Sequence, residues 1–181
     1  AQSALPHLTP GPFPAPLRTG TRLSVAIEIA LGPAMQYLVV SAEEDAKQAI
    51  QQLKRKDIGR ATFLPISAME SRTLSERGLE ACRGYIGVAS ELIHFDEAYR
   101  GVMENLLGRT VLTETLDDAI SMARKYHNRF KIVTLDGQVM NAGGSMTGGS
   151  AAKNTGILSR ANELRRLRDT LADLETKLEE T

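Results

Sequence analysis

The sequence predicts a mixed α/β (α+β) fold of two similar small helix/strand lobes followed by a coiled-coil helix. Three observations carry that prediction. Residues 46–66 align without a gap on residues 116–136, glycine and proline cluster at a few points between apolar runs, and leucines recur at heptad spacing near the C-terminus.

The first repeat opens on Ala26-Ile27-Glu28-Ile29-Ala30-Leu31-Gly32, a short helix stopped by glycine, followed by the strand-like run YLVV at 37–40. A second helix follows, in which Ala46, Ala49, Ile50 and Leu53 sit at i, i+3, i+4 and i+7. Ser41 and Glu44 have the spacing of a capping box, and Lys54-Arg55-Lys56 place positive charge at the helix end. ATFLPI then reads as a strand.

The second repeat runs from Val102 to Gly108 (helix and stop), through TVL at 110–112, to a helix with Leu116, Ala119, Ile120 and Ala123 on one face. Thr115 and Asp118 make its weaker capping box, Arg124-Lys125 its basic end, and FKIVTL its strand. Asp136-Gly137 between two apolar runs signals a hairpin. GYIGVASELI, at 84–93, reads as an extra strand ahead of this unit, whereas the corresponding residues 8–17 of the first, LTPGPFPAPL, carry alternating prolines. Five of the seven prolines lie in the first sixteen residues, so 1–23 reads as an irregular leader, extended or disordered. The expected organisation is leader 1–23, first lobe 24–83, second lobe 84–156 and coil 157–181.

The stretch AGGSMTGGS, at 142–150, places Gly143, Gly144, Gly148 and Gly149 around Ser145, Met146 and Thr147. Counted from Gly143 it fits the phosphate-loop spacing except that Gly149 occupies the lysine position. Two uses compete: a nucleotide or ligand module without its main phosphate anchor, or a loop in which glycine lets two backbones approach. The hairpin before it favours the second, since a phosphate loop leaves a buried parallel strand.

From Ile157 onward, Leu164, Leu167, Leu171, Leu174 and Leu178 alternate spacings of three and four, with Glu163, Arg168, Glu175 and Lys177 beside them. This is a heptad seam needing a partner helix, with an ordinary amphipathic helix packed on its own domain as the competing reading. The proline-rich start cannot supply that partner, so the chain reads as part of a longer protein or as one that pairs with another copy.

Composition narrows function. Twenty-two basic and twenty-two acidic side chains cancel, so nucleic-acid binding must come from a local patch. Cys82 is the single cysteine, and His7, His94 and His127 lack metal-ligand spacing, which predicts no disulfide, metal, catalytic residue or cofactor. Four Phe, four Tyr and no Trp make a poor stacking platform for single strands. No apolar run is long enough to span a bilayer and no signal-like segment opens the chain, so a cytoplasmic setting without membrane contact is expected.

GRATFLP at 59–65, GYIGVASELI at 84–93, LLGRTVLTETLDDA from Leu106 and RFKIVTLDGQVMNAGGSMTGGS from Arg129 together resemble the hinge domain of bacterial structural maintenance of chromosomes (SMC) proteins. The resemblance covers about residues 24 to 181. It implies an SMC-type hinge of two α/β subdomains between the strands of an antiparallel intramolecular coiled coil. It further implies a non-enzymatic homodimerisation module of a nucleoid-associated, chromosome-organising ATPase whose ATPase heads lie outside this chain. Residues 143–149 would then belong to the surface where two hinges meet. Some bacterial relatives carry a lysine cluster after the glycine loop that is implicated in DNA contact. Here only Lys153 follows it, so contact with DNA would rest on Lys153, Arg160, Arg165 and Arg166, against the competing reading of a solvated helix face.

Overall fold

The computed structural model describes residues 11–12, 17–150 and 156–179. Its strands form two sheets. Strands β1 (Gly11–Pro12), β2 (Leu38–Val40) and β3 (Phe63–Pro65) make one, in that order. Strands β4 (Tyr85–Val88), β5 (Thr110–Thr113), β6 (Lys131–Thr134), β7 (Val139–Met140) and β8 (Met146–Thr147) make the other. The helices are α1 (Ser24–Leu31), α2 (Glu43–Lys56), α3 (Arg100–Leu107), α4 (Leu116–Lys125) and α5 (Ile157–Glu179).

The internal repeat is real at the level of topology. Strands β2 and β3 are parallel across α2, and β5 and β6 are parallel across α4. The correspondence at offset 70 extends to single backbone bonds. Asp57 and His127 both take left-handed conformations after their helices, at φ 51° and 57°. The next residue donates its N–H back into each helix, Ile58 to Leu53 at 3.3 Å and Asn128 to Ala123 at 2.8 Å. Both are closures of the Schellman kind.

The leader needs correction. Gly11–Pro12 pairs antiparallel with β2, as β4 pairs with β5, so a remnant of the expected strand does exist in the first repeat. Proline is accommodated because β1 is an edge strand, where a missing donor costs no ladder bond. Leu17 and Thr19 are buried, and Arg18 exchanges backbone hydrogen bonds with His94 at 2.8 and 2.7 Å. The irregular reading therefore fails at 11–12 and 17–19. Residues 20–23 turn into α1, with the Leu23 N–H donating to the Gly20 carbonyl at 3.1 Å, and residues 1–10 and 13–16 lie outside those described.

Smaller differences have local causes. The strand expected over 84–93 stops at Val88, where Ala89–Glu91 turns into a short 3-10 segment that buries Ala89 and Ser90. The cap of α2 is Ala42, whose N–H donates to Asp45 Oδ2 at 3.1 Å, so the expected Ser41/Glu44 box is shifted by one residue. The Thr115/Asp118 box is present, with the Asp118 N–H donating to Thr115 Oγ1 at 3.2 Å and that hydroxyl donating to Asp118 Oδ2 at 2.6 Å. Gly108 ends α3 without a positive φ. Its lack of a side chain instead makes room for the carbonyl of Arg72 in the connector from β3.

One apolar core crosses the boundary between the repeats. It joins Ile27, Leu31, Val39 and Leu64 to Val102, Met103, Leu107, Leu112 and Val133. A second cluster under α4 holds Val111, Ala119, Met122, Ala123, Phe130, Ile132 and Met140. Helix α1 is the shared element, packing against α3, β6 and α5. Lys131 reinforces it by donating from Nζ to the Ala30 carbonyl at 3.0 Å, a cation at the negative end of α1.

Candidate dimerisation surface and arm

The glycine-rich stretch forms the outermost hairpin of the larger sheet. After the Asp136-Gly137 turn, β7 returns antiparallel to β6, and residues 141–145 reverse the chain again into β8. The Gly144 N–H donates to the Asn141 carbonyl at 3.0 Å and the Asn141 N–H to the Ser145 carbonyl at 2.8 Å. Gly143 and Gly144 hold φ of 89° and 98°, a region costly for any other residue. The loop rests on the end of α4, where the Gly143 N–H donates to the Asn128 carbonyl at 2.8 Å.

The far side is tied by Gln138. Its Oε1 accepts from the Gly149 N–H at 2.8 Å and its Nε2 donates to the Gly149 carbonyl at 3.0 Å, so a side-chain amide continues the ladder. Gly148 faces that amide with no room for a Cβ. These glycines therefore shape a hairpin between antiparallel strands and do not lead from a parallel strand into a helix, which is what phosphate cradling requires.

Strand β8 is an edge. Among the described strands only β7 is hydrogen-bonded to it, and Ser145, Met146, Thr147, Gly148 and Gly149 are exposed. Met146 stands opposite the buried Met140, hence on the sheet face covered by α4, yet is 54% exposed. Its outward backbone groups and the exposed Met146 side chain are what an added strand would meet.

The first repeat has a matching exposed surface. Ile50 is 52% exposed, whereas its counterpart Ile120 packs against the α4 cluster. Ile50, Leu53, Lys54, Gly59, Arg60 and Ala61 line a groove of about 420 Å³, with exposed Ile58 close by in sequence. In the second repeat the space outside β6 is filled by β7, with Met140 among the α4 residues. Sequence reading found the apolar stripe of α2 but not its exposure, because a periodic stripe does not reveal which strand covers it.

Helix α5 leaves the body at Ile157. Its Leu158 and Asn162 are buried, while Ile157, Leu164, Leu167, Leu171 and Leu174 are between 51% and 58% exposed. They form the expected seam on one side; the Leu178 side chain is outside the described ones. Arg160, Arg165 and Arg166 are all exposed, and Arg166 lies 3.7 Å from Glu163, within its own helix. Lys153 lies outside the described residues. The buried anchors Leu158 and Asn162 were missed, since nothing in their spacing separates them from a solvent-facing stripe.

A second pocket, of about 320 Å³, is lined by Cys82, Arg83, Asp117, Asp118, Ser121, Met122 and Lys125. Three of its charged side chains are engaged in structure: Asp118 caps α4 and lies 3.4 Å from Arg83, and Lys125 Nζ is 3.6 Å from Cys82 Sγ. Perturbed ionisation is likewise structural. Desolvation lowers the Lys131 pKa. The hydrogen bond from Arg100 lowers that of Glu97, and the same bond raises that of Arg100. Burial, followed by Glu91 and Glu80, pushes up the Tyr85 phenol. Among the described residues no group of His, Cys, Asp and Glu could hold a metal ion, and no helix is long and apolar enough to cross a membrane.

Comparison with known proteins agrees with this architecture. Residues 17–123, more than half of the chain, match the family model described as the SMC proteins flexible hinge domain. The chromosome partition protein Smc of Bacillus subtilis is 46% identical over 165 residues, covering 89% of this chain and 14% of that protein. This chain thus spans about one-seventh of that relative's length. A crystal structure of an asymmetric dimer of the Geobacillus stearothermophilus SMC hinge domain superposes with a TM-score of 0.82 at 43% identity, covering 92% of this chain and 68% of that one. The Pyrococcus furiosus SMC protein hinge domain follows at 0.64 and 26% identity, covering 80% and 76%.

Proposed function

This chain belongs to the SMC flexible hinge domain family, and on that premise we propose that it is the homodimerisation hinge of a chromosome condensation and segregation ATPase. Catalysis belongs to head domains outside this chain, and the protein works in the cytoplasm at the nucleoid. The two lobes, 24–83 and 84–156, hold the dimer together while α5 begins one arm and pairs with an antiparallel helix supplied from elsewhere in the parent protein.

The observation that carries this reading is a complementary pair of surfaces on one chain. Among the described strands β8 has one open edge, with Met146 exposed, and β3 has another, beside a groove that Ile50 and Leu53 line together with Lys54 and Arg60. In the second repeat the equivalent position outside β6 is taken by β7, whose Met140 packs against α4. By the same logic β8 of a second copy adds to β3, and its Met146 enters the groove between Ile50 and Leu53. A two-fold axis repeats the contact, so two equal interfaces close a ring.

Met146→Asp and Ile50→Asp test the pairing from its two sides. Each is expected to weaken dimerisation by about 30-fold or more, the scale of a hot-spot loss, while the melting temperature of the monomer holds. Light scattering across a dilution series reads the outcome. Two variants that both stay dimeric at the lowest measurable concentration would place the interface elsewhere.

DNA contact is the finer part of the proposal. It rests on exposed Arg160 and Arg165, on Arg166, and on Lys153, at the root of the arm, where two copies bring two sets together. Phosphate contacts release counterions, so affinity should fall steeply with salt. Replacing all four residues by alanine should flatten that dependence in an anisotropy titration without splitting the dimer.

A further inference from the structure

We propose that the carboxylate of Glu28 is the latch that sets the direction in which α5 leaves the body of the protein. Glu28 lies on α1, and its Oε1 accepts a hydrogen bond from the Leu158 N–H in the first turn of α5. The pair is 130 residues apart in sequence. An acid at this end of a helix satisfies an orphan donor and opposes the positive end of the dipole.

Gly156 makes the contact possible. Its φ lies outside the left-handed region, so the backbone does not ask for glycine. A Cβ there would instead fall inside the Glu28 carboxylate, meeting both oxygens and the carbon between them. The Gly156 carbonyl accepts from the Arg160 N–H at 3.0 Å, which places this residue at the opening of the helix. The close approach of glycine to the acid is thus built into the root of the arm.

Little else holds that root. Among the described side chains of α5, only Leu158 and Asn162 are buried, and everything from Glu163 to Lys177 is exposed. A helix of 23 residues is about 35 Å long. A change of 10° at its base therefore moves its tip by roughly 6 Å. Because α1 also packs on α3 and β6, the latch refers the arm's direction to both repeats and not to one.

The test uses the full chain with Cys82→Ser and spin labels at Ser121→Cys and Arg168→Cys, both exposed positions, diluted into unlabelled protein so that only distances within one chain are read. Glu28→Ala and Gly156→Ala should each broaden the distance distribution about twofold or more. The double variant should be no broader than either single one, because both remove the same contact. Glu28→Gln keeps the acceptor oxygen and should stay near the parent width. A role confined to stability would lower the melting temperature without widening the distribution. Parent width in Glu28→Ala, with broadening in Leu158→Ala, would overturn the proposal in favour of an apolar anchor alone. Gly156→Ala leaves α1 untouched, so the measurement stands even if a change at Glu28 unfolds the helix.

Discussion

The two repeats share a backbone plan and differ in what covers it. In the second, β7 and β8 extend the sheet beyond β6, and the apolar face of α4 is buried with Met140. In the first, the sheet ends at β3, and the equivalent face of α2 keeps Ile50 half exposed. The difference teaches that a repeated βαβ unit can keep its fold while one copy stays open at its edge, and in the dimer we propose the completed copy supplies the strand that covers its neighbour's open face.

The sharpest way to break that comparison is to truncate one isoleucine from each repeat, one covered and one open. Ile132 is fully buried under α4, so Ile132→Ala should cost about 2–5 kcal/mol, as transfer and cavity terms add. Ile50→Ala, placed in a Met146→Asp background to keep the protein monomeric, should cost under about 0.5 kcal/mol, as solvent-facing changes do. Urea unfolding with unchanged m-values separates the two. Equal losses would mean that the α2 face is covered within its own chain.

The start of the chain tests how much of the missing strand survives in the first repeat. Leu17 is buried in the shared core, so Leu17→Ala should cost about 2 kcal/mol or more. Deleting residues 1–20 should lower the melting temperature clearly. The prolines alone suggest no change, and a null result by calorimetry would restore that view.

Lys131 joins the repeats and gives a pH signature. Desolvation holds its folded-state pKa below the ordinary 10.5, so between the two values the unfolded chain binds more protons. Its contribution to stability must then rise with pH through that window and level off above it. Lys131→Met should remove this increment from the slope of stability against pH on the alkaline side. A parallel slope in wild type and variant would show that the ammonium is as well solvated in the folded protein as in the unfolded one.

The smallest effect concerns what the repeats have in common. Asp57 and His127 both hold left-handed conformations that glycine adopts freely. Asp57→Gly and His127→Gly should each stabilise by about 0.5–1 kcal/mol. The gain should be larger at His127, since aspartate tolerates this region better. Thermal melts of both variants would expose any asymmetry in the closures.

Much of the fold was legible in the residues. Periodicity located α2, α4 and α5, the offset of 70 paired the repeats, and Asp136-Gly137 marked the hairpin, because each of these signals is local. The heptad leucines showed an exposed seam for the same reason. The proline-rich start misled, since the cost of proline depends on whether a strand is central or at an edge, and order within a sheet is a long-range property. Gly108 does end its helix as read, but the residues gave no sign that it also admits the Arg72 carbonyl from a connector more than thirty residues earlier. The same limit hid the candidate surfaces. Sequence by itself determined which faces are apolar and where the backbone must turn, because spacing and steric freedom reside in neighbouring residues. Only the tertiary structure decided which apolar face is covered and which acid holds the arm. Whether Met140 is buried and Met146 exposed, or Glu28 meets Leu158, depends on which strand or helix lies alongside, and that is settled by packing between segments far apart in the chain.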